Sequence, residues 1–280
     1  MTDRQFRKRK TNFNYEEEDF LDTPSTSNWT SNDLKDYNIE IININNFPKF
    51  NIICKELIIQ EWKDEDWLDK CIISNINVSE NKKINNDIKT FVDKIKNIQK
   101  YKYIINEVYV DGFMNTMLGI LGFDSYPCEY FPQYILQAEF GEMNQKIISK
   151  SDFGIISKFN NSAMLVIEDK TMSNANFNNS WKEAQVVGEI FVALHNKNFK
   201  TVYGVRVVHT LFTFYKSTID DNYKISNLRG NYKQGKLIIE RFPPISSTDL
   251  SLNALDICIY DQRIQILEHL SFIHNQLSPE

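Results

Sequence analysis

The chain has 280 residues, of which 42% are hydrophobic and 25% are charged, and its formal net charge is −5. This length and apolar content allow one large domain or two modest ones with a real core, and they exclude wholesale disorder. The acidic balance excludes binding of nucleic acid by bulk electrostatic attraction, because proteins that bind in that way carry a basic surplus. Any contact with nucleic acid must be local.

Cysteine usage indicates the compartment. Cys54, Cys71, Cys128 and Cys258 are far apart and form no CxxC pair. With no recognisable signal peptide or long apolar segment, we expect free thiols in an intracellular compartment, cytoplasmic or nuclear, and no membrane contact.

The first part of the chain has little apolar content. Opposite charge blocks over residues 1–33 predict a disordered charged tail. The basic cluster between Arg4 and Lys10 is consistent with a nuclear localisation signal, a non-specific phosphate contact or an ordinary solvated tail.

A change of composition follows this tail. Short β-like runs, then a charged stretch with Trp62 and Trp67, predict a small accessory region over 34–82. The two tryptophans either stack on bases or anchor this stretch to a core. The main domain is expected over 83–280.

Two helices precede the central strands. Apolar residues recur at helical spacing over 84–100, and a second helix begins near Glu107 and ends at Gly122. An unpaired charge among the apolar residues of this second helix would be costly to bury. Glu107 therefore either belongs to a site or lies on a helix edge that faces water.

A predicted hairpin carries the main candidate site. The strand 145–156 contains Asp152, Asn160 and Asn161 form a turn, and an apolar strand from Ala163 ends in Glu168-Asp169-Lys170. Side chains alternate along a strand, so Glu168 and Lys170 point to one face and Asp169 to the other. The hairpin would bring Asp152 next to Glu168.

These residue types suit one kind of chemistry. Two carboxylates are hard oxygen ligands that suit Mg²⁺, and a lysine beside them can orient or deprotonate an attacking water. The sequence therefore predicts metal-assisted hydrolysis of a phosphodiester. The alternative is that Glu168, Asp169 and Lys170 are solvated residues at the mouth of a loop.

A further helix begins at Trp181. Its residues Gln185, Gly188 and Glu189 share one face, and the glycine would let the helix approach the sheet closely. Gln185 either positions water or contacts nucleic acid, or it is a structural helix residue. Basic residues gather in sequence around the proposed site, and those taken as candidate nucleic-acid contacts are Lys150, Lys158 and Lys182. The alternative for the lysines is an ordinary solvated face.

The remaining chain completes the domain. Strands at 202–208 and 211–215 would finish a mixed sheet, and 223–239 reads as a hairpin with its turn at Arg229-Gly230-Asn231. A long helix over 250–277 would pack on the core. A homodimer through this helix is possible.

Asp152, Glu168-x-Lys170 and Gln185 together resemble the core of the PD-(D/E)XK nucleases, the restriction-endonuclease-like superfamily. The resemblance is to Gln-bearing members such as type I restriction nuclease domains and crinkler-type effector nucleases, and it covers residues 100–217. Glu107 matches the acidic residue that the family often has on its first core helix. Ser151 stands where the family usually has proline.

The resemblance implies an α/β restriction-endonuclease-like core and a Mg²⁺- or Mn²⁺-dependent nuclease, with DNA favoured over RNA. Asp152 and Glu168 would ligate the metal with help from Glu107, Lys170 would activate water or stabilise charge, and Gln185 would position. The alternative is a catalytically inactive nucleic-acid- or protein-binding module on the same fold, such as an effector or domesticated mobile-element protein. A third possibility, an interaction domain with an accidental motif, predicts that Asp152 and Glu168 lie far apart.

Overall fold

A computed structural model describes residues 24–52, 86–100, 107–141, 145–158, 163–170, 183–196, 199–246 and 253–278. The predictions made for residues 4–10, for Trp62, Trp67 and Lys182, and for the turn at Asn160 and Asn161 lie outside these ranges. Within them, helices flank a mixed eight-stranded sheet, which confirms the predicted α/β class.

The strands, in chain order, are β1 (Ile39–Asn43), β2 (Cys128–Phe140), β3 (Gln145–Ser157), β4 (Ala163–Lys170), β5 (Thr201–Val208), β6 (Leu211–Thr218), β7 (Leu237–Phe242) and β8 (Leu255–Asp256). The helices are α1 (Ser31–Asp36), α2 (Asn86–Lys100), α3 (Val108–Ile120), α4 (Glu183–His195), α5 (Asp221–Leu228) and α6 (Tyr260–Leu277). Among the described residues, no helix has both the length and the apolar content needed to cross a bilayer.

The sheet order is β1-β7-β6-β5-β4-β3-β2, with β8 paired to β6. β2, β3 and β4 are antiparallel, as are β5, β6 and β7, whereas β4 pairs with β5 in parallel and β1 pairs with β7 in parallel. The parallel step needs a crossover connection, and α4 lies in it between β4 and β5. The two groups of antiparallel strands therefore meet at β4 and β5.

Both faces of the sheet are covered. α2, α3 and α6 pack with Leu165 and Ile167 on one face, and α4 packs with Met164 and Val166 on the other. Burial on two sides explains why β4 is apolar without interruption until Glu168, since such strands lack the polar alternation of half-exposed ones.

Close packing of α4 on the sheet depends on a glycine other than the one expected. A Cβ on Gly204 of β5 would lie 2.6 Å from Cδ1 of Ile190 in α4. Gly188, which was predicted to allow this approach, lies instead against the N-terminal segment: a Cβ there would lie 2.8 Å from the ring of Trp29. The prediction for Gly188 is wrong because the N-terminal segment covers that side of the helix.

This N-terminal segment is folded from Pro24 onward, so the tail prediction is wrong for residues 24–33. A 3-10 helix (Thr26–Asn28) precedes α1, and α1 begins with a capping box between Thr30 and Asp33. The ring of Trp29 stacks on Tyr37 at a centroid distance of 5.3 Å. The described part of the predicted accessory region adds β1 to the edge of the main sheet.

The helices α2 and α3 confirm the predictions for their part of the chain, and Gly122, with φ of 80°, follows the end of α3. The hairpin predicted over 223–239 is wrong. Asp220 caps α5 by accepting hydrogen bonds from the backbone N–H groups of Asn222 and Tyr223, so helix replaces the first strand. The C-terminal helix packs on the core as expected but begins at Tyr260, because 255–256 form β8.

Candidate active site

Strand pairing brings Asp152 and Glu168 together. β3 and β4 are antiparallel with Phe153 opposite Ile167, so one further step places Asp152 opposite Glu168. The backbone N–H of Asp169 donates a hydrogen bond of 2.8 Å to Oδ2 of Asp152. The possibility in which Asp152 and Glu168 lie far apart is therefore wrong.

The pairing of β2 with β3 is interrupted beside Asp152. The register passes from Pro132–Phe153 to Tyr134–Ser151, and the skipped residue Gln133 has a left-handed φ of 51°. A residue outside the ladder does not have its direction fixed by two neighbouring strands. The interruption thus lies at Asp152, whose carboxylate is the expected metal ligand.

The ammonium of Lys170 lies among three carboxylates. Its Nζ is 3.6 Å from Oδ2 of Asp152, 3.7 Å from Oε1 of Glu107 and in direct contact with Oε1 of Glu168. Glu107 takes part because it occupies the position before the first residue of α3. Nζ also donates a hydrogen bond of 2.8 Å to the carbonyl of Asp169. The predicted site residues of β3, β4 and α3 are therefore neighbours.

Helix α4 contributes Gln185 and Glu189. The Gln185 amide donates to Oε1 of Glu168 at 2.5 Å and to Oε1 of Glu189 at 3.4 Å. The other oxygen of Glu168, Oε2, is buried and accepts from no N–H group within the described ranges; a hydrogen bond between Glu168 and Glu189 forms only when one of these carboxyls is protonated. Gln185 thus holds one Glu168 oxygen and, when both carboxyls are ionised, leaves the second for another ligand.

The sequence did not identify Asp111 or Glu189 as site residues, and it placed Asp169 only through the alternation of side chains along β4. Asp111 lies one turn after Glu107 on α3, and Glu189 lies one turn after Gln185 on α4, so helical spacing was the available signal. Asp169 points to the α3 side, next to Asp111. A hydrogen bond between these two carboxyls forms only when one is protonated; without that proton, neither Asp169 oxygen has a donor in the described structure.

These residues form what we call the carboxylate cluster: six carboxyl groups around one ammonium, namely Glu107, Asp111, Asp152, Glu168, Asp169 and Glu189 with Lys170. Burial, with the charge of Asp152, raises the pKa of Glu168 to about 7. Burial, with Asp152 and Asp111, raises the pKa of Asp169 to about 10. The pKa of Glu189 is also well above its usual value, through burial and Glu168. Burial, reinforced by neighbouring carboxylates, thus favours the protonated form of these three groups.

The pKa of Lys170 is raised by neighbouring charges even though the residue is buried. Burial acts to lower its pKa, but the charges of Glu168, Asp152 and Glu107 outweigh burial and raise it overall. The side chain is only 11% exposed. Lys170 is thus an ammonium at neutral pH.

The donor set fits a hard divalent cation. Glu168 has a buried oxygen without a donor, Asp152 lies opposite it, and the surplus of carboxyl groups would be offset by added positive charge. No three acidic, histidine or cysteine side chains of the described residues are arranged as a metal-ligand group. The Lys170 ammonium lies between the candidate ligands, so a cation held by Asp152 and Glu168 would require it to shift.

The two described lysines that were predicted to contact nucleic acid differ in their distance from Asp152. Lys150 is exposed on β3 close to Asp152 in sequence. Lys158 follows the end of β3, about 20 Å along the strand from Asp152, and pairs with Glu129 at 3.4 Å. The structure therefore does not bring Lys158 to the site.

Neither a family model nor a curated protein matches this chain. The resemblance to PD-(D/E)XK nucleases consequently depends on these residues and their arrangement.

Proposed function

We propose that this chain is a metal-dependent nuclease that hydrolyses phosphodiester bonds, with DNA favoured over RNA, on a restriction-endonuclease-like core. The observation that carries the proposal is the convergence of Asp152, Glu168 and Lys170 at one end of a buried strand pair. A buried strand end that collects unbalanced carboxylates is costly for stability, and such a cost is typical of functional sites.

Asp152 and Glu168 would hold Mg²⁺ or Mn²⁺, with Glu107 at the rim. When bound, such a cation lowers the pKa of a coordinated water and neutralises charge on the phosphate. Lys170 is protonated at neutral pH, so we assign it the orientation of water and the stabilisation of developing negative charge rather than proton abstraction.

Gln185 acts as a positioning residue. Its amide donates to Glu168 at 2.5 Å, which fixes the carboxylate rotamer and the direction of its free oxygen. Glu189 in turn accepts from the same amide at 3.4 Å. This role differs from the predicted contact with water or nucleic acid, because the amide already faces Glu168 inside the protein.

A second candidate function is a non-catalytic binding module. The observation that favours it is the position of the Lys170 ammonium, which contacts Glu168 and lies near Asp152 as in a structural ion pair. In that case the carboxylates would bind no cation.

The decisive experiment incubates the purified protein with single- and double-stranded DNA and RNA in Mg²⁺, Mn²⁺ or EDTA. We expect metal-dependent cleavage that disappears in Glu168→Gln and Lys170→Ala. The charge-matched controls Glu40→Gln and Lys236→Ala alter an exposed ion pair between β1 and the residue before β7, and should retain activity. Cleavage that survives in both site variants would indicate a contaminant. Absence of cleavage, with no effect of metal on the melting temperature, would support the binding module.

A further inference from the structure

A pair of stacked aromatic rings lies on β2 beside Asp152. The rings of Phe131 and Tyr134 have a centroid distance of 5.0 Å and an interplanar angle of 28°. Tyr134 packs against the core on the α4 side, whereas Phe131 packs with neither hydrophobic core of the described residues. Both side chains remain partly exposed. These two residues, which we call the aromatic pair, therefore extend from the core to the surface.

Strand pairing fixes the position of the aromatic pair. Tyr134 is in register with Ser151, which precedes Asp152 in β3. Phe131 is in register with Gly154, two residues after Asp152. The Cα atoms of paired residues in antiparallel strands are about 5 Å apart. The aromatic pair therefore lies on both sides of the expected ligand carboxylate along the strand.

Gly154 allows the ring of Tyr134 to lie against β3. A Cβ on Gly154 would be 2.5 Å from Cδ1 of Tyr134, so the ring occupies the side of the strand to which a side chain at this position would point. Asp152 is two residues before Gly154, and alternate residues of a strand point to the same side. The Asp152 carboxylate is also 3.6 Å from the ammonium of Lys170, which contacts Glu168. The aromatic pair and the Asp152 carboxylate therefore share one side of β3.

The surface next to the aromatic pair is apolar with an adjacent positive charge. Pro132 is exposed, and Ile135 is 46% exposed. Lys150 of β3 is in register with Ile135 and is exposed as well. Proteins usually cover or charge the edge strand of a sheet, because exposed apolar edges associate with other chains. Apolar groups concentrated at this edge, beside Asp152 and an ammonium, suit a ligand that has flat apolar groups on an anionic backbone.

We propose that the aromatic pair is a stacking platform for an unpaired nucleobase next to the cleavage site, so that the substrate is single-stranded at that nucleotide. Aromatic side chains stack on bases of any sequence, because every base has a π face. In a duplex, neighbouring bases cover both faces of each base, so such a platform selects unpaired nucleotides. Lys150 would contact the phosphate backbone. The position beside a cleavage site depends on the proposed function, whereas the binding of unpaired bases does not.

The first test measures affinities of the intact protein in EDTA by fluorescence anisotropy. Labelled single strands and duplexes of the same sequence are compared, both as DNA and as RNA. A single strand of at least one of the two should bind about fivefold or more tightly than its duplex, the minimum expected for one stacked base. Equal or weaker binding of both single strands overturns the proposal. Absence of binding to any strand also overturns it and would leave this surface to a protein partner.

Variants of Phe131 separate stacking from a simple apolar contact. Phe131→Leu keeps an apolar side chain but removes the π face, and should weaken single-strand binding about fivefold or more. Phe131→Tyr keeps the ring and should retain binding. Tyr126→Leu makes the same kind of change at a tyrosine that is 71% exposed and lies near Lys158, at the end of the hairpin away from Asp152, and should have no effect. Equal affinities of Phe131→Leu and Phe131→Tyr overturn the proposal.

The second test detects the stack directly. The probe is 2-aminopurine, an adenine analogue whose fluorescence falls when it stacks, placed at one position at a time in a short single strand. At one or more positions, the wild-type protein should quench its emission more than Phe131→Leu does, and identical emission at every position overturns the platform. Stacking without metal-dependent cleavage would reject the proposed nuclease and retain the platform. Glu168-dependent cleavage with equal affinities for single strands and duplexes would reject only the platform.

Discussion

The carboxylate cluster adjoins a cavity of about 230 Å³ on the α4 side of the sheet, which we call the arginine cavity; its polar lining residues are Glu183, Arg206, Thr213, Tyr215, Arg241 and Asn253. In the first region, six carboxyl groups surround Lys170; in the second, Arg206 and Arg241 lie near the carboxylates of Glu183 and Glu168. The regions meet where Glu168 is in register with Arg206. They are separated by one strand spacing of about 4.8 Å.

The two regions differ in how they respond to buried charge. Carboxyl groups can bind protons, and burial raises the pKa values of Glu168 and Asp169. A guanidinium group does not lose its proton, so its charge must be met by a fixed partner: Glu183 pairs with Arg241, and the charges of Glu183 and Glu168 act on Arg206. The carboxylate cluster should therefore respond to pH and to cations, whereas the arginine cavity should keep its charge.

The largest expected effect follows removal of the ammonium from the carboxylate cluster. Lys170→Met keeps most of the side-chain volume but removes the charge that contacts Glu168. We expect single-turnover cleavage to fall by about 10²- to 10³-fold, the usual cost of losing one donor to the developing charge. Lys236→Met at an exposed ion pair is the control. A rate within twofold of wild type would show that Lys170 has no part in the reaction.

The next effect concerns cation binding by the carboxylate cluster. Mn²⁺ at 100 times its Kd should stabilise the folded protein by about 2.7 kcal/mol. Glu168→Gln should abolish this stabilisation, and Glu40→Gln at an exposed ion pair should retain it. Thermal melting with and without Mn²⁺ measures the difference. An unchanged response in Glu168→Gln would place the cation elsewhere.

The smallest effect concerns the pH dependence of stability without metal. Burial raises the folded pKa of Glu168 to about 7 and that of Asp169 to about 10, above the ordinary values of 4.5 and 3.8. Between those values the unfolded chain has lost protons that the folded protein retains, so the free energy of unfolding falls as pH rises. The loss should be visible from about pH 5 to pH 8 in urea titrations.

Asp169→Asn tests the source of this slope. An amide resembles the protonated carboxyl, so the variant should be more stable than wild type at pH 8 by at least about 1 kcal/mol and should show a flatter pH profile. Asp261→Asn in the exposed first turn of α6 is the matched control. An unchanged slope in Asp169→Asn would assign the titration to other groups.

Local patterns predicted much of the fold and part of the site. The strand carrying Asp152, the apolar strand ending at Lys170 and the helix with Gln185 follow from short-range periodicity, and the structure contains all three. The hairpin prediction for 223–239 failed because the cap at Asp220 lies outside the segment that was read as a strand. The N-cap residue, which precedes this segment, decided that the segment begins as a helix.

The missed members of the site have a different cause. Asp111 and Glu189 each lie one helical turn from a predicted site residue, but helical spacing does not say which turn faces the strand end. Arg206 of β5 was not predicted as a site residue. Its burial became evident from the packing of α4 on Gly204 and from the pairing of β5 with β6.

The sequence by itself determined that Glu168 and Lys170 share one face of β4 and that Asp169 points to the other, because alternation along a strand is a property of the backbone. Only the tertiary structure decided that β5 lies parallel to β4 with Arg206 beside Glu168. That neighbour is chosen by a crossover through α4, and such long-range pairing depends on the packing of whole layers rather than on any local pattern. The charged residues of each region are therefore determined by local sequence, whereas the contact between the two regions depends on the packing of the whole sheet.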